Sequence, residues 1–114
     1  MKKLVLWFLA MILCLSAKVG MTSEVKEVYQ QNCAKCHGVD GKGQTTVGKK
    51  FKISDFTDAG WQAKNPPSKI KEVIEKGVKD KVGKELMVAY KNKLSPEEVL
   101  SLVQYIQKFA NSNP

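Results

Sequence analysis

The run Cys33-Ala34-Lys35-Cys36-His37 limits what this chain can fold into more than any other feature. His37 is the only histidine, and Cys33 and Cys36 are two of three cysteines. With two residues between them, the pair cannot close the long loop through which a disulfide stabilises a small domain. On a helix the two thiols stand one turn apart on one face, with the imidazole immediately beyond. A domain of about 100 residues buries only a modest core and often leans on a staple, a metal or a cofactor. The pentad is where such a support would attach.

Three chemistries compete for these residues. A redox C-x-x-C pair belongs in a strand–helix–strand context, and no such context is visible. A structural zinc ion needs four Cys or His ligands, and once the first residues are removed only Cys33, Cys36 and His37 remain. The third reading is C-x-x-C-H as the attachment signature of c-type haem. Two thiols one turn apart add to the two vinyl groups of one haem, and the imidazole beside Cys36 is held beneath the iron. The motif occurs once, so one covalent haem c is expected.

The start of the chain supports that choice. Lys2 and Lys3 precede an apolar run over residues 4–15, and Ser16 and Ala17 are small. This reads as a secretory signal peptide cleaved after Ala17, and 12 apolar residues fall short of the roughly 20 that span a bilayer. An uncleaved membrane anchor is the minor alternative. Cys14 lacks the small neighbours of a lipoprotein box. Residues 18–114 then form one domain, with 17 lysines against 11 acids, a net charge of +6. Such a surface suits acidic proteins. Export and the absence of aromatic interleaving argue against nucleic acid.

Helical spacing dominates the rest. Val25, Val28 and Tyr29 predict a helix over residues 23–33, and the glycine-rich stretch after Gly38 reads as loop. One short turn is expected over residues 55–63, anchored by Phe56 and Trp61. Ser68 is the expected cap of a helix bearing Ile70, Val73 and Ile74 and ended by Gly77. Residues 78–93 look irregular. Ser95-Pro96-Glu97-Glu98 carries the signals of a capping box, with Val99, Leu102, Val103, Ile106, Phe109 and Ala110 as an apolar stripe behind it. The fold class is all-α.

Elimination addresses the far side of the iron. With one histidine, bis-histidine ligation within the chain is excluded, and methionine is the usual alternative. Met1 and Met11 leave with the signal, and Met21 lies near the new terminus. Met87 is therefore the expected distal ligand, against the bland reading of a core-filling methionine.

The chain resembles the class I cytochromes c, in the small bacterial and photosynthetic-type branch. The resemblance rests on Cys33 to Gly38, Gly41-Lys42-Gly43, Asp55-Phe56-Thr57, Met87-Val88-Ala89-Tyr90, residues 93–98 and Val103-Gln104-Tyr105-Ile106. It implies four to five short helices around one covalent haem, the last packed across the first. It also implies a mobile periplasmic single-electron carrier, monomeric and without a membrane span in its mature form, and no enzyme. Lys35, Lys42, Lys49 and Lys91 would steer it to acidic docking surfaces. A haem subunit of a larger redox enzyme and an open-site sensor or peroxidase stand as alternatives. Two departures matter. Val88 stands where the family's ligand methionine is usually followed by proline, and no proline occurs from His37 to Asp55. His37 is still expected to donate its second ring N–H to a backbone carbonyl. Trp61 and Tyr90 either wall the haem pocket or bond a haem propionate.

Overall fold

Helices joined by short loops make up nearly all of the computed structural model, which describes residues 21–112. In chain order they are α1 (Met21–Asn32), α2 (Ala34–His37), α3 (Thr46–Phe51), α4 (Ala59–Lys64), α5 (Pro67–Lys76) and α6 (Pro96–Lys108), with a 3-10 turn at Phe109–Ser112. Between α5 and α6 lie two strands, β1 (Val78–Lys79) and β2 (Glu85–Met87), paired antiparallel. The all-α expectation holds. The six α-helices exceed the four to five expected because two short ones, α2 and α3, form in stretches too brief to show periodicity. The signal peptide, its cleavage site and Cys14 fall outside the described residues.

α6 organises the core. Ser95 accepts from the Glu98 amide at 3.1 Å while Glu98 Oε1 accepts from the Ser95 amide at 3.0 Å, closing the capping box. Pro96 sits at the first helical position, where a missing N–H costs nothing. Val99, Leu102, Val103 and Ile106 are buried along one stripe, and Phe109 continues it. Burying each is worth about 1.5–3 kcal/mol. α1 and α5 both pack on α6. From α1, the fully buried Tyr29 meets Tyr105 at 5.0 Å and Phe109 at 5.4 Å between ring centroids. From α5, Ile70 and Ile74 close the other flank.

Three local expectations need correction. α5 begins at Pro67 with Pro66 as its cap and no side-chain cap bond, so Ser68 lies inside the helix. A proline at the first position already has helical φ and needs no acceptor, which makes the serine redundant. The glycine-rich stretch is loop as far as Thr45, but its end enters α3, because Thr45 accepts from the Gly48 amide at 2.9 Å and caps the helix. The segment over 78–93 contains the hairpin. There Asp80 Oδ1 accepts from the amides of Val82 and Lys84 at 2.9 and 2.8 Å. Strands of two and three residues are too short to announce themselves by alternation.

Candidate haem-binding site

Cys33 interrupts the helical path between α1 and α2 without changing its direction. Its amide donates to Tyr29 O at 2.8 Å, and its carbonyl accepts from the His37 amide at 2.9 Å. The two cysteines are therefore one turn apart, as the spacing requires, and both are free thiols. Burial, aided by neighbouring Cys36, pushes the Cys33 thiol up to about 11. Among the described residues no group of three or more His, Cys, Asp and Glu side chains converges on a point that would hold a metal ion.

The turn after Cys36 is tied down one carbonyl at a time. Cys36 O accepts from the Thr45 hydroxyl at 2.6 Å, His37 O from the Gly43 amide at 2.8 Å, and Gly38 O from the Tyr29 hydroxyl at 2.7 Å. Tyr29 is buried, which raises its phenol far above the ordinary value and keeps it a donor. Gly48 lets α3 lie directly on this turn, since a Cβ there would clash with the Gly43 carbonyl and stand 2.9 Å from Cys36 O.

A cavity of about 320 Å³ opens beside this turn. Cys33 and His37 line it from one element, Met87 from β2, and Ile70, Val73 and Ile74 from α5. Its size falls in the range of cofactor pockets. Phe51, Val73, Val78 and Leu86 line it too, each 37–40 % exposed, apolar surface that a flat apolar group would cover. Lys52, Asn65, Lys69 and Trp61 give the wall a polar, cationic portion that suits carboxylate substituents. Lys52 and Lys69 are the wall's lysines, whereas Lys35, Lys42, Lys49 and Lys91 lie off it.

Burial lowers the affinity of His37 for a proton, so the ring stays neutral, the form that binds metals. Its Nδ1 is buried and has no hydrogen-bond partner, contrary to the expected backbone carbonyl. Instead the ring stacks on Phe56, with centroids 4.7 Å apart and planes 18° from parallel. Nothing in a sequence without a proline between His37 and Asp55 names that substitute, although Asp55-Phe56-Thr57 is visible as a motif. Asp55 Oδ1 accepts from both the Thr57 amide and hydroxyl, at 2.8 and 2.6 Å, a turn that aims Phe56 inward.

Trp61 walls the cavity and touches Phe56, ring centroids 4.8 Å apart. The Tyr90 hydroxyl donates to Asn32 O at 2.9 Å, so it joins the two halves of the site and does not serve a propionate. Gly77, with φ +71°, ends α5 and lets the backbone of residues 87–89 lie against it, Ala89 N being 2.9 Å from where its Cβ would stand.

Two thiols one helical turn apart, an adjacent half-buried neutral imidazole, and an apolar cavity walled by Cys33, His37 and Met87 define a class: this is a c-type cytochrome. Comparison with known proteins agrees. The family model for cytochrome c oxidase, cbb3-type, subunit III matches residues 20–106, and the chain belongs to that family. It is similar to the solved KustC0563 c-type cytochrome, at 40 % identity over 74 % of this chain and 94 % of that one, with a TM-score of 0.65. A tyrosine-to-phenylalanine mutant of that cytochrome matches at 39 % identity over 75 % of this chain and 96 % of that one, also with a TM-score of 0.65. The family carries covalently bound haem c, and the residues described here fit it. No helix among the described residues is long and apolar enough to cross a membrane.

Proposed function

We propose that this chain is an exported carrier of single electrons whose one haem c is bonded to Cys33 and Cys36 and ligated by His37 and Met87. The observation that carries the reading is that Cys33, His37 and Met87 line the same cavity. When bound, the haem supplies an iron that takes up and releases one electron. The protein's part is to hold everything still. The three accepted carbonyls, of Cys36, His37 and Gly38, fix the imidazole side, and Met87 would offer the iron a thioether, which favours the reduced state. Held by both His37 and Met87, the iron would offer no vacancy to substrate, which argues against a sensor or peroxidase. The apolar wall of Val73, Val78 and Leu86 would keep water from it.

Residues 1–17 are the export signal in this reading, and the mature, monomeric carrier works in the periplasm without a membrane span. Its net charge of +6 favours encounter with acidic docking surfaces on redox proteins, and that attraction weakens with salt. The family match to an oxidase subunit supports a second reading, a haem subunit of a larger redox assembly. Isolation from the native host separates them. A carrier elutes as a single small protein with the mass of residues 18–114 plus one haem, and a subunit elutes with partners. The reduced visible spectrum tests the ligands. A low-spin ferrous spectrum, with a near-infrared methionine–iron band when oxidised, is expected. A high-spin spectrum that shifts on adding carbon monoxide would overturn the Met87 assignment.

A further inference from the structure

We propose that Phe56 is the positioning residue of the proximal ligand: its stacked ring, in place of a hydrogen bond to a carbonyl, sets the plane of the His37 imidazole. The inference rests on the reading of His37 as an iron ligand and goes beyond it. A ligating histidine ordinarily donates its second N–H to a carbonyl, carboxylate or water, and that bond fixes ring rotation and raises ligand basicity. Here the second nitrogen is Nδ1, which is buried without a partner. Rotation about the Cβ–Cγ bond must be restrained otherwise, and the contact that restrains it is the near-parallel Phe56 ring, 4.7 Å away. Offset stacking of this kind is worth about 0.5–1.5 kcal/mol beyond burial.

Phe56 is itself unusually constrained. Its amide donates to Gly41 O at 2.8 Å and its carbonyl accepts from Gln62 Nε2 at 2.8 Å. Gln62 Nε2 also donates to Ile106 O at 3.0 Å, which fastens this clamp to α6. Trp61 and Phe109 back the ring, with centroids at 4.8 and 6.2 Å. Two consequences follow for the loaded protein. The imidazole has one orientation, and without an acceptor on Nδ1 it is a weaker electron donor, which stabilises ferrous iron and raises the potential.

The test uses the holoprotein as wild type, Phe56→Leu, Phe56→Tyr and Val99→Ala. Reduction potential and the hyperfine-shifted haem methyl resonances of the ferric form, which report imidazole orientation, are measured for each. Phe56→Leu is expected to alter the methyl shift pattern and lower the potential, as the freed ring turns and water reaches Nδ1. Phe56→Tyr keeps the stack and is expected to restore both. Val99→Ala truncates a buried apolar side chain of α6 that does not line the cavity, and is expected to lower thermal stability while leaving the shift pattern unchanged. An unchanged pattern and potential in Phe56→Leu would overturn the proposal. Should that variant not assemble, the wild type decides through its 15N-labelled histidine. A Nδ1 shift typical of a free N–H supports the stack, and one typical of a strong carbonyl bond overturns it. Failure of the underlying reading is distinct, because wild type would then lack a low-spin histidine-ligated spectrum altogether.

Discussion

The carbonyls of Cys36, His37 and Gly38 each accept a bond from outside their own helix, from Thr45, Gly43 and Tyr29. Met87, by contrast, ends a three-residue strand, and the bonds that tie its segment back to α5 begin three residues later, from the Tyr90 amide to Ile74 O at 2.9 Å and from the Lys91 amide to Glu75 O at 3.2 Å. One side of the cavity is therefore held at consecutive residues, and the other at its ends. No proline follows Met87 to stiffen it, since Val88 stands there. Under the proposed ligation the difference gives the sides distinct tasks: the one bearing Cys33 and His37 would keep the cofactor, and the one bearing Met87 would adjust the iron. Ligand exchange should begin at the methionine.

The largest expected effect breaks the first side outright. Replacing Cys33 and Cys36 together by serine should abolish covalent haem and leave the chain poorly folded, because the exposed apolar wall of Phe51, Val73, Val78 and Leu86 then has nothing to cover it. Circular dichroism and a haem stain read both losses, and a well-folded, haem-free double mutant would refute the coupling. Met87→Ala acts on the other side. The fold should survive while the potential falls by a sizeable part of the roughly 0.8 V that axial ligands span, and the ferrous iron should bind carbon monoxide. An unchanged spectrum and potential would reject Met87 as ligand.

Glycine substitutions sharpen the contrast. Gly48→Ala drives a methyl into the Gly43 and Cys36 carbonyls, so it should cost about 1–3 kcal/mol in denaturant unfolding with little spectral change. Gly77→Ala adds strain at φ +71°, about 1–2 kcal/mol, and also presses on residues 87–89. It should weaken the methionine–iron band, a signature Gly48→Ala lacks. Equal spectral effects from the two would mean that the sides are not mechanically separate.

What the sequence disclosed follows how each feature is encoded. The pentad, the capping box at Ser95 and the α6 stripe are local patterns of residue type, so all were legible. α3 and the hairpin depend on single side chains, Thr45 and Asp80, folding back onto nearby amides, and such bonds leave no periodic trace. The partner of His37 depends on which element crosses it in space. Without a proline to mark the usual carbonyl, only the folded chain brings Phe56 to the ring. The role of Tyr90 is not legible in the sequence, because its acceptor, Asn32 O, lies 58 residues earlier.

That bond gives the finest test of the comparison, since it is the one hydrogen bond described here that runs from the Met87 segment to the residue just before Cys33. Tyr90 is buried, and burial raises its phenol above the ordinary value, so the hydroxyl remains a donor through neutral pH. Tyr90→Phe keeps the ring and deletes only the donor. Asn32 O then loses this partner at a half-wet site, which should cost about 1 kcal/mol. If the two sides are held independently, the loss should appear mainly as faster replacement of Met87 by an added ligand such as imidazole, with the thioether attachment and the His37 signals unchanged. Stopped-flow binding of imidazole to the ferric protein measures it. A variant that binds imidazole at the wild-type rate would show that the clasp does not restrain the methionine side, and that the strand pairing of Met87 with Val78 suffices.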